Sequence, residues 1–445
     1  MRITLVNSEY IPYESLSFGF CVVVSTLKEN GIEPNIIDYN YLKKIGDLDI
    51  LFSTHDINQY LYFNKISVEM ETALDKISSL INTEIVGFSC FSFESLKQSL
   101  LLAKYIKSID PNKKIIFGGI GTFNHEQELM NDFSFIDFIV MKKGEHQFCE
   151  LIKNIKNKKS FKKIPNLVFR NKYGVTKLNK IEGYNIDSQL CPNYDFYYNI
   201  KKDLTLQYMT SEGCVNKCRF CGLTNKKPQY KRVSKVINEI KHLKARYNCN
   251  QFCFQDDNIN TNHKRTIVLM DALKIIDVEW YALASANLMT KKIIKKMSEA
   301  GCRWIQFGLE SGSKRVLKLM NKPVNLKKFE QIMALCNQVN IQPQVNIIMG
   351  YPGETESDVE QTLKYLYDNH RNYSHVNLML FRLYFDSFLG HTLKTKYKDP
   401  TTLKKNIEKY NYFINIDNMQ HINKYVSFLE KYSIPYNSVF KPKNE

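Results

Sequence analysis

Short apolar runs recur along this chain, and a single helix-like stretch separates each from the next. That alternation constrains the fold more than any other feature. Parallel strands need a crossover long enough to hold a helix, and the helices then cover the sheet. In the first part the runs are Arg2 to Asn7, Pro34 to Tyr39, Glu84 to Cys90, Lys114 to Gly118 and Asp137 to Met141. Helix-like stretches cover Gly19 to Asn30, Ser95 to Ile109, a segment from His125, and Glu145 to Lys156, while 40–80 is polar and weakly patterned. The pattern predicts an α/β fold with a doubly wound, Rossmann-like sheet over 1–156. Residues 157–203 read as a linker with a hairpin around Asn171 to Gly174.

A second series spans 204–395, with runs at Leu204–Met209, Phe252–Gln255, Trp280–Ser285, Trp304–Leu309, Gln344–Met349 and Val376–Leu383. Amphipathic helices lie between them; one carries Val233, Val236, Ile237, Ile240 and Leu243 on one face. Six such units are too few for a closed eight-unit barrel and predict a partial (β/α)6 barrel. The tail, 396–445, mixes charged and aromatic residues and reads as a small helical cap.

At 445 residues, 44% hydrophobic and 13% aromatic, the chain can bury enough surface to offset its ordering cost. The 62 basic and 45 acidic residues leave +17, but the lysines are scattered. They read as solvated faces, so a nucleic-acid partner is not expected. The start, MRITLVNSEY, reads as a strand and not as a charged then apolar leader. No run approaches the ~18 apolar residues of a membrane span. The expectation is a cytoplasmic protein whose 11 Cys are thiols or metal ligands, not disulfides.

Cys214, Cys218 and Cys221 follow directly after a predicted strand. Spacings of three and two residues let one loop reach three corners of a cube, and iron–sulfur clusters are held by Cys thiolates. A zinc site needs a fourth Cys or His at suitable spacing, and none is close; His242 lies 21 residues on. The loop Cys214-Val215-Asn216-Lys217-Cys218-Arg219-Phe220-Cys221 resembles the signature of the radical S-adenosylmethionine (SAM) enzymes. The resemblance implies an oxygen-sensitive four-iron, four-sulfur cluster whose open iron binds SAM, with Phe220 beside the adenine. It also implies reductive cleavage to a 5′-deoxyadenosyl radical, with electrons from a donor such as flavodoxin or ferredoxin.

Later segments are similar to the subfamily that also carries an N-terminal cobalamin domain. They are Phe252 to Asn258, Gly301 to Ser313 with Asn321-Lys322-Pro323, and Met349 to Thr355. Polar and glycine residues at the C-terminal ends of parallel strands are where ligands bind. On that resemblance Glu310 would accept hydrogen bonds from ribose, Asp256 or Asp257 would meet the methionyl ammonium, and Ser285 and Gly350 would lie along SAM. The bland readings make Asp257-Asn258 and Glu354-Thr355 helix starts and Gly353 a turn residue. Cys253, Cys302, Cys336, Trp280 and Trp304 read as core, and His55, His125 and His146 as surface residues. Two departures stand out: the third strand ends Ala284-Ser285-Ala286-Asn287-Leu288, and the sixth Phe385-Asp386-Ser387-Phe388-Leu389.

In the first half, Ser89, Gly118, Gly119, Gly121, Thr122, Gly144 and Glu145 follow strands and resemble the cobalamin domain of the same subfamily. No Asp-x-His-x-x-Gly motif supplies a lower ligand to cobalt. The resemblance implies methylation of an unactivated carbon of a peptide or natural-product substrate, using methylcobalamin and the radical. Alternatives are a radical cyclisation or rearrangement without methyl transfer, and a non-catalytic cobalamin or redox sensor. A tRNA methylthiotransferase would carry a further N-terminal cysteine triplet, whereas Cys21, Cys90 and Cys149 are widely spaced.

Overall fold

A computed structural model describes residues 2–8, 16–44, 51–200, 204–223, 227–384, 386–397, 407, 413–415 and 419–438. The chain divides into two compact units. One comprises Met1–Tyr184, Gln189–Tyr197 and Lys398–Tyr412; the other comprises Asn185–Ser188, Tyr198–Tyr397 and Phe413–Glu445.

The first unit is built on a seven-stranded sheet. Its strands are β1 (Arg2–Asn7), β2 (Glu33–Asp38), β3 (Ile85–Ser89), β4 (Lys114–Gly118), β5 (Phe138–Val140), β6 (Leu167–Arg170) and β7 (Thr176–Leu178). The order is β2-β1-β3-β4-β5-β6-β7, parallel through β5 and antiparallel beyond it. Both faces are apolar, as a helix-covered parallel sheet requires. Ile3, Leu5, Ile85 and Ile116 join one core with Phe20, Val24, Phe148 and Ile152 from helices Phe18–Glu29 and Glu145–Lys156. Val6, Val86, Phe88 and Phe117 point the other way, onto Leu96 and Leu100 of helix Phe93–Ile109. Two further helices, Thr54–Phe63 and Val68–Ser79, cover that face with Ile57, Met70 and Leu74. They lie in the stretch that showed no clear pattern, and Ser53 and Ser67 cap them. The segment read as a linker instead supplies β6 and β7, whose turn is the expected hairpin at Asn171 to Gly174. This part of it, through Tyr184, belongs to the first unit, with Leu167, Val168 and Phe169 buried in that unit's cores.

The second unit has its own sheet of seven strands, all parallel. They are β8 (Leu206–Tyr208), β11 (Gln251–Phe254), β12 (Glu279–Ala284), β13 (Cys302–Glu310), β14 (Gln342–Met349), β15 (His375–Leu380) and β18 (Tyr436–Ser438). The order is β18-β15-β14-β13-β12-β11-β8, six expected strands and one not expected. Two short ribbons accompany the sheet: β9 (Ser211–Glu212) with β10 (Gln229–Tyr230), and β16 (Arg382–Tyr384) with β17 (Phe413–Asn415). The tail is therefore more than a helical cap. Helix Met419–Lys431 leads into β18, which extends the sheet beside β15. Phe385, in the altered end of the sixth run, and much of 396–445 fall outside the described residues.

Two turns next to strands use left-handed glycines. Gly301, just before β13, has φ +87°, and a Cβ there would lie 1.9 Å from the Val278 carbonyl oxygen. Gly174, at φ +75°, has nothing within 4 Å of that position. Left-handed backbone costs an L-residue about 1–2 kcal/mol, and a backbone clash adds to it. Gly301→Ala is expected to lose about 3 kcal/mol in urea unfolding, and Gly174→Ala only about 1 kcal/mol. Equal losses would show that the turn before β13 adjusts freely.

Candidate functional site

The C-terminal ends of the second sheet carry most of the polar residues singled out in the sequence. The chain leaves β8, passes Thr210, and enters the cysteine loop through β9 and Gly213, which has φ +88°. Asp256, just beyond β11, is fully buried and ties down this entry. Its carboxylate accepts from the Thr210 amide at 2.6 Å, the Thr210 hydroxyl at 2.6 Å and the Ser211 hydroxyl at 2.5 Å. Both oxygens are thereby occupied, so the carboxylate has a structural task here and not the ligand contact expected of it. Arg265 reinforces the anchor by donating to the Thr210 carbonyl at 2.8 Å and the Lys231 carbonyl at 3.1 Å. Asp257 accepts from the Gly213 amide at 2.7 Å. Neither Asp257 nor Asn258 caps the next helix; Asn262 does, accepting from the Arg265 amide at 3.1 Å.

Cys214, Cys218 and Cys221 lie on this loop, close enough that charge on Cys214 would raise the thiol pKa of both Cys218 and Cys221. Burial pushes Cys218 up to about 11, against the pull of Lys322 and with further increments from Cys221, Glu310 and Cys214. Burial also raises Cys221, whose sulfur accepts from the Leu223 amide at 3.4 Å. The Asn258 amide donates to the Cys214 sulfur at 3.5 Å. The far side of the loop is fixed by Arg219 N to Met320 O at 2.9 Å, Leu389 N to Arg219 O at 2.8 Å, and Asn321 Nδ2 to Lys217 O at 2.6 Å. Phe220 packs edge-on to Tyr351, with ring centroids 6.4 Å apart, beside Val316, Met320, Ile348 and Phe381.

Glu310 ends β13 with φ +69° and is 6% exposed. Its Oε1 accepts from Lys322 Nζ at 2.8 Å, while Oε2 is buried without a partner among the described residues. The sequence resemblance gives Lys322 no role of its own. Burial disfavours its ammonium, but Glu310, Cys218 and Cys214 outweigh that and hold its pKa above the ordinary lysine value. A Cβ on Gly308 would lie 2.2 Å from Glu310 Oε1 and 2.6 Å from Lys322 Nζ, so a side chain there would displace the ends of that pair. Ser285 is clasped by Asn260, which accepts from its amide and donates to its carbonyl, both at 3.0 Å. The Ser285 hydroxyl accepts from Asn216 of the cysteine loop at 3.1 Å and donates to Asn287. Gly350, at φ +74°, donates its amide to Glu354 at 2.9 Å, so Glu354 shapes this turn while Thr355 and Asp358 form the helix start.

Among the described residues no three His, Cys, Asp or Glu side chains converge on one ion position. Thiolates at separate corners of a cluster need not share one. The donor set fits such a group. Burial and mutual repulsion oppose ionisation of Cys218 and Cys221, and a cationic group between the thiols would relieve both.

In the first unit the expected residues separate into two sets. A Cβ on Gly119 would lie 2.3 Å from the Cys90 carbonyl oxygen, on Gly121 2.6 Å from that of Ser92, and on Gly144 2.2 Å from Val140 Cγ1. Those glycines permit close packing of the chain with itself. Thr122 donates to the Gly119 carbonyl at 2.9 Å, and Glu145 accepts from the Tyr184 hydroxyl at 2.6 Å. Ser89 and Gly118, paired at the ends of β3 and β4, stay partly open, and the Ser89 hydroxyl has no partner among the described residues. His55 and His146 are exposed as expected, but His125 is 4% exposed and contacts Glu128 at 3.0 Å.

Residues 208–366 match the family model of the radical SAM superfamily, so the second unit contains a radical SAM domain. An uncharacterized methyltransferase of Pyrococcus horikoshii is 27% identical over 300 residues, covering 65% of this chain and 65% of that protein. The chain therefore spans just under two thirds of that relative's length. The solved structure of the radical SAM methyltransferase TsrM from Kitasatospora setae, with tryptophan substrate and a SAM analogue bound, superposes with a TM-score of 0.71. It covers 97% of this chain and 88% of that one at 14% identity. The cobalamin-dependent SAM radical enzyme OxsB, with aqua-cobalamin bound, gives a TM-score of 0.68 at 18% identity, covering 93% and 64%. At these identities the structures show a shared fold.

Helix Glu356–Asp368 holds the turn that follows Glu310. Thr362 accepts from the Gly312 amide at 3.0 Å, and Ser313 donates to Asp358 at 2.6 Å. The Arg315 guanidinium, then the Ser313 and Thr355 hydroxyls, hold the Asp358 carboxyl well below the usual range. A depressed folded pKa contributes stability that is present above the unfolded value of about 4 and lost as pH falls through the folded one. The stability gap between the wild type and Asp358→Asn is expected to shrink when urea midpoints are measured at pH 2.5 instead of pH 5. A gap that does not change with pH would remove the ion pair from the account.

Proposed function

We propose that this chain is a cobalamin-dependent radical SAM methyltransferase acting on an unactivated carbon. The observation that carries the reading is the convergence at one sheet end of three clustered thiols with the buried Lys322–Glu310 pair, one oxygen of which has no protein partner. Cys214, Cys218 and Cys221 would hold the cluster. Lys322 offers a cation and Glu310 an acceptor to SAM, and Phe220, Ser285 and Gly350 line the same end. When bound, the cluster and SAM supply reductive formation of a 5′-deoxyadenosyl radical, and cobalamin supplies a transferable methyl group. The residues of this chain hold and orient. Asp256, Asp257 and Asn258 fix the loop, and the Glu310–Lys322 pair enters the site with its charge already balanced.

For cobalamin the support lies in the first unit. Its parallel strands run β2-β1-β3-β4-β5, an order that places a ligand at the carboxyl ends beside the β1/β3 switch. There Ser89 and Gly118 are open, and Phe91 and Ile120, just beyond β3 and β4, are 58% and 51% exposed. An apolar rim with one free hydroxyl suits the face of a flat ring that carries a polar tail. The solved relative OxsB binds aqua-cobalamin on the same fold. A cytoplasmic site of action and an external electron donor belong to the same proposal.

Anaerobic reconstitution followed by metal counting tests it. About four irons and one cobalt per chain are expected, with iron lost in Cys218→Ala and label from methyl-labelled SAM found in product. Iron without cobalt would retain the radical chemistry and sink the methylcobalamin route. Both metals with no label transferred would favour cyclisation or rearrangement.

A further inference from the structure

Helix Met419–Lys431 lies beyond the residues that match the radical SAM family model. It packs on helix Glu356–Asp368, which supports two of the strand-end turns described above. Lys424 fastens it from outside, reaching Glu356 at 2.9 Å and Glu360 at 3.0 Å. The next residue, Tyr425, is 0% exposed. Its hydroxyl faces two side chains, Glu354 and Thr362. Each of these holds a turn. Glu354 accepts from the Gly350 amide at 2.9 Å, just beyond β14. Thr362 accepts from the Gly312 amide at 3.0 Å, two residues beyond Glu310. Among the described residues the Tyr425 hydroxyl completes a hydrogen bond with neither.

A hydroxyl has one proton to give and two sites that accept. At Thr362 all three are engaged. It donates to the Asp358 carbonyl at 2.9 Å, and it accepts from the Gly312 amide and, at 3.1 Å, from the Ser311 hydroxyl. Ser311 is the donor of that last bond, because the Thr362 proton is already used. The Gly312 turn has no slack either, since a Cβ there would lie 2.7 Å from Thr362 Cα. Tyr425 therefore cannot donate to Thr362. The Glu354 carboxylate, which can accept several donors, is the acceptor left to it. Burying a hydroxyl unbonded destabilises a fold, and phenylalanine would avoid that loss. The benefit of the hydroxyl then falls in another state of the Gly350 turn.

Resting on the reading above that places Gly350 along SAM, we propose that Tyr425 is a positioning residue of the SAM site. When the Gly350 turn takes up SAM, Glu354 closes onto the Tyr425 hydroxyl, and the bond so formed holds the turn in its ligand-bound position. A ligand shifts a two-state element only through interactions that differ between the states. This bond is such an interaction, because it is present in the bound state and open in the free one. The C-terminal helix thereby takes part in cofactor binding without touching the cofactor.

The reconstituted holoenzyme is kept anaerobic and without reductant, so that SAM binds without turnover. Equilibrium dialysis with labelled SAM gives Kd, and urea unfolding of the SAM-free holoenzyme gives stability. Tyr425→Phe is expected to raise the SAM Kd about tenfold, the value of one hydrogen bond to a charged group, while the urea midpoint stays or rises. With reductant added, KM for SAM in 5′-deoxyadenosine formation should rise with little change in kcat. Glu354→Gln should also weaken SAM, and adding Tyr425→Phe to it should cost little more. Lys424→Met, which loosens the helix from outside, should lower the midpoint slightly and leave Kd unchanged. A lower midpoint with an unchanged Kd in Tyr425→Phe would make the residue purely structural and overturn the proposal. Equal weakening of SAM by Lys424→Met, or fully additive losses in the double variant, would overturn it as well. A wild type that binds no SAM would sink the radical SAM reading itself, and the proposal with it.

Discussion

Everything at the reactive end of the second unit hangs on the buried Asp256 carboxylate. A loop that must expose three thiols cannot also pack its own backbone, so its position has to be imposed from the adjoining strand. Asp256 does this with three hydrogen bonds to Thr210 and Ser211. Its charge is tolerable at 0% exposure because each bond is short and charge-assisted, and because Arg265 lies on the far side of Thr210. Asp257 extends the hold by one residue to the Gly213 amide, where the left-handed backbone turns the chain into the cysteines. Two adjacent acids therefore act on the loop from below, and the reactive groups stay on its upper side.

The same economy explains Glu310 and Lys322. A strand end with a left-handed carboxylate is strained, and a buried lysine is costly. Each is stabilised by the other and by a glycine, Gly308, that leaves room for both. The pair remains incomplete, with one carboxylate oxygen unbonded. Unsatisfied buried oxygens are rare enough that one beside three clustered thiols points to a ligand.

How much of this was legible in the sequence follows from how local each determinant is. The strand–helix alternation, the hairpin at Asn171 to Gly174 and the cysteine loop are local patterns and could be read directly. The helices Thr54–Phe63 and Val68–Ser79 could not, since their apolar residues Ile57, Tyr60, Leu61, Met70, Leu74 and Ile77 are diluted by polar neighbours. Ser53 and Ser67, each accepting from the amide three residues on, were the available signals. Strand β18 was hidden because a three-residue run pairs only with β15, about 60 residues earlier. Lys322 has no role legible in its local sequence, because its partner Glu310 is twelve residues away across a helix. Asp256 was assigned to the ligand because an acid after a strand reads the same from sequence whether it faces a ligand or the strand next to it. Only the hydrogen bonds distinguish the two.

The glycines of the first unit illustrate the same limit from the other side. Gly119, Gly121 and Gly144 were singled out because glycine lets a ligand approach, yet here backbone carbonyls and Val140 fill that space. Gly118 alone of the four keeps a mostly open side, its nearest neighbour being the Val140 carbonyl oxygen at 3.3 Å. Close approach is one requirement with two possible partners, the chain itself or a bound molecule. In a doubly wound sheet both occur at the same strand ends. The open ends of β3 and β4 thus owe their shape to glycines that let the neighbouring loops pack tightly together, leaving Ser89, Phe91 and Ile120 partly or largely exposed.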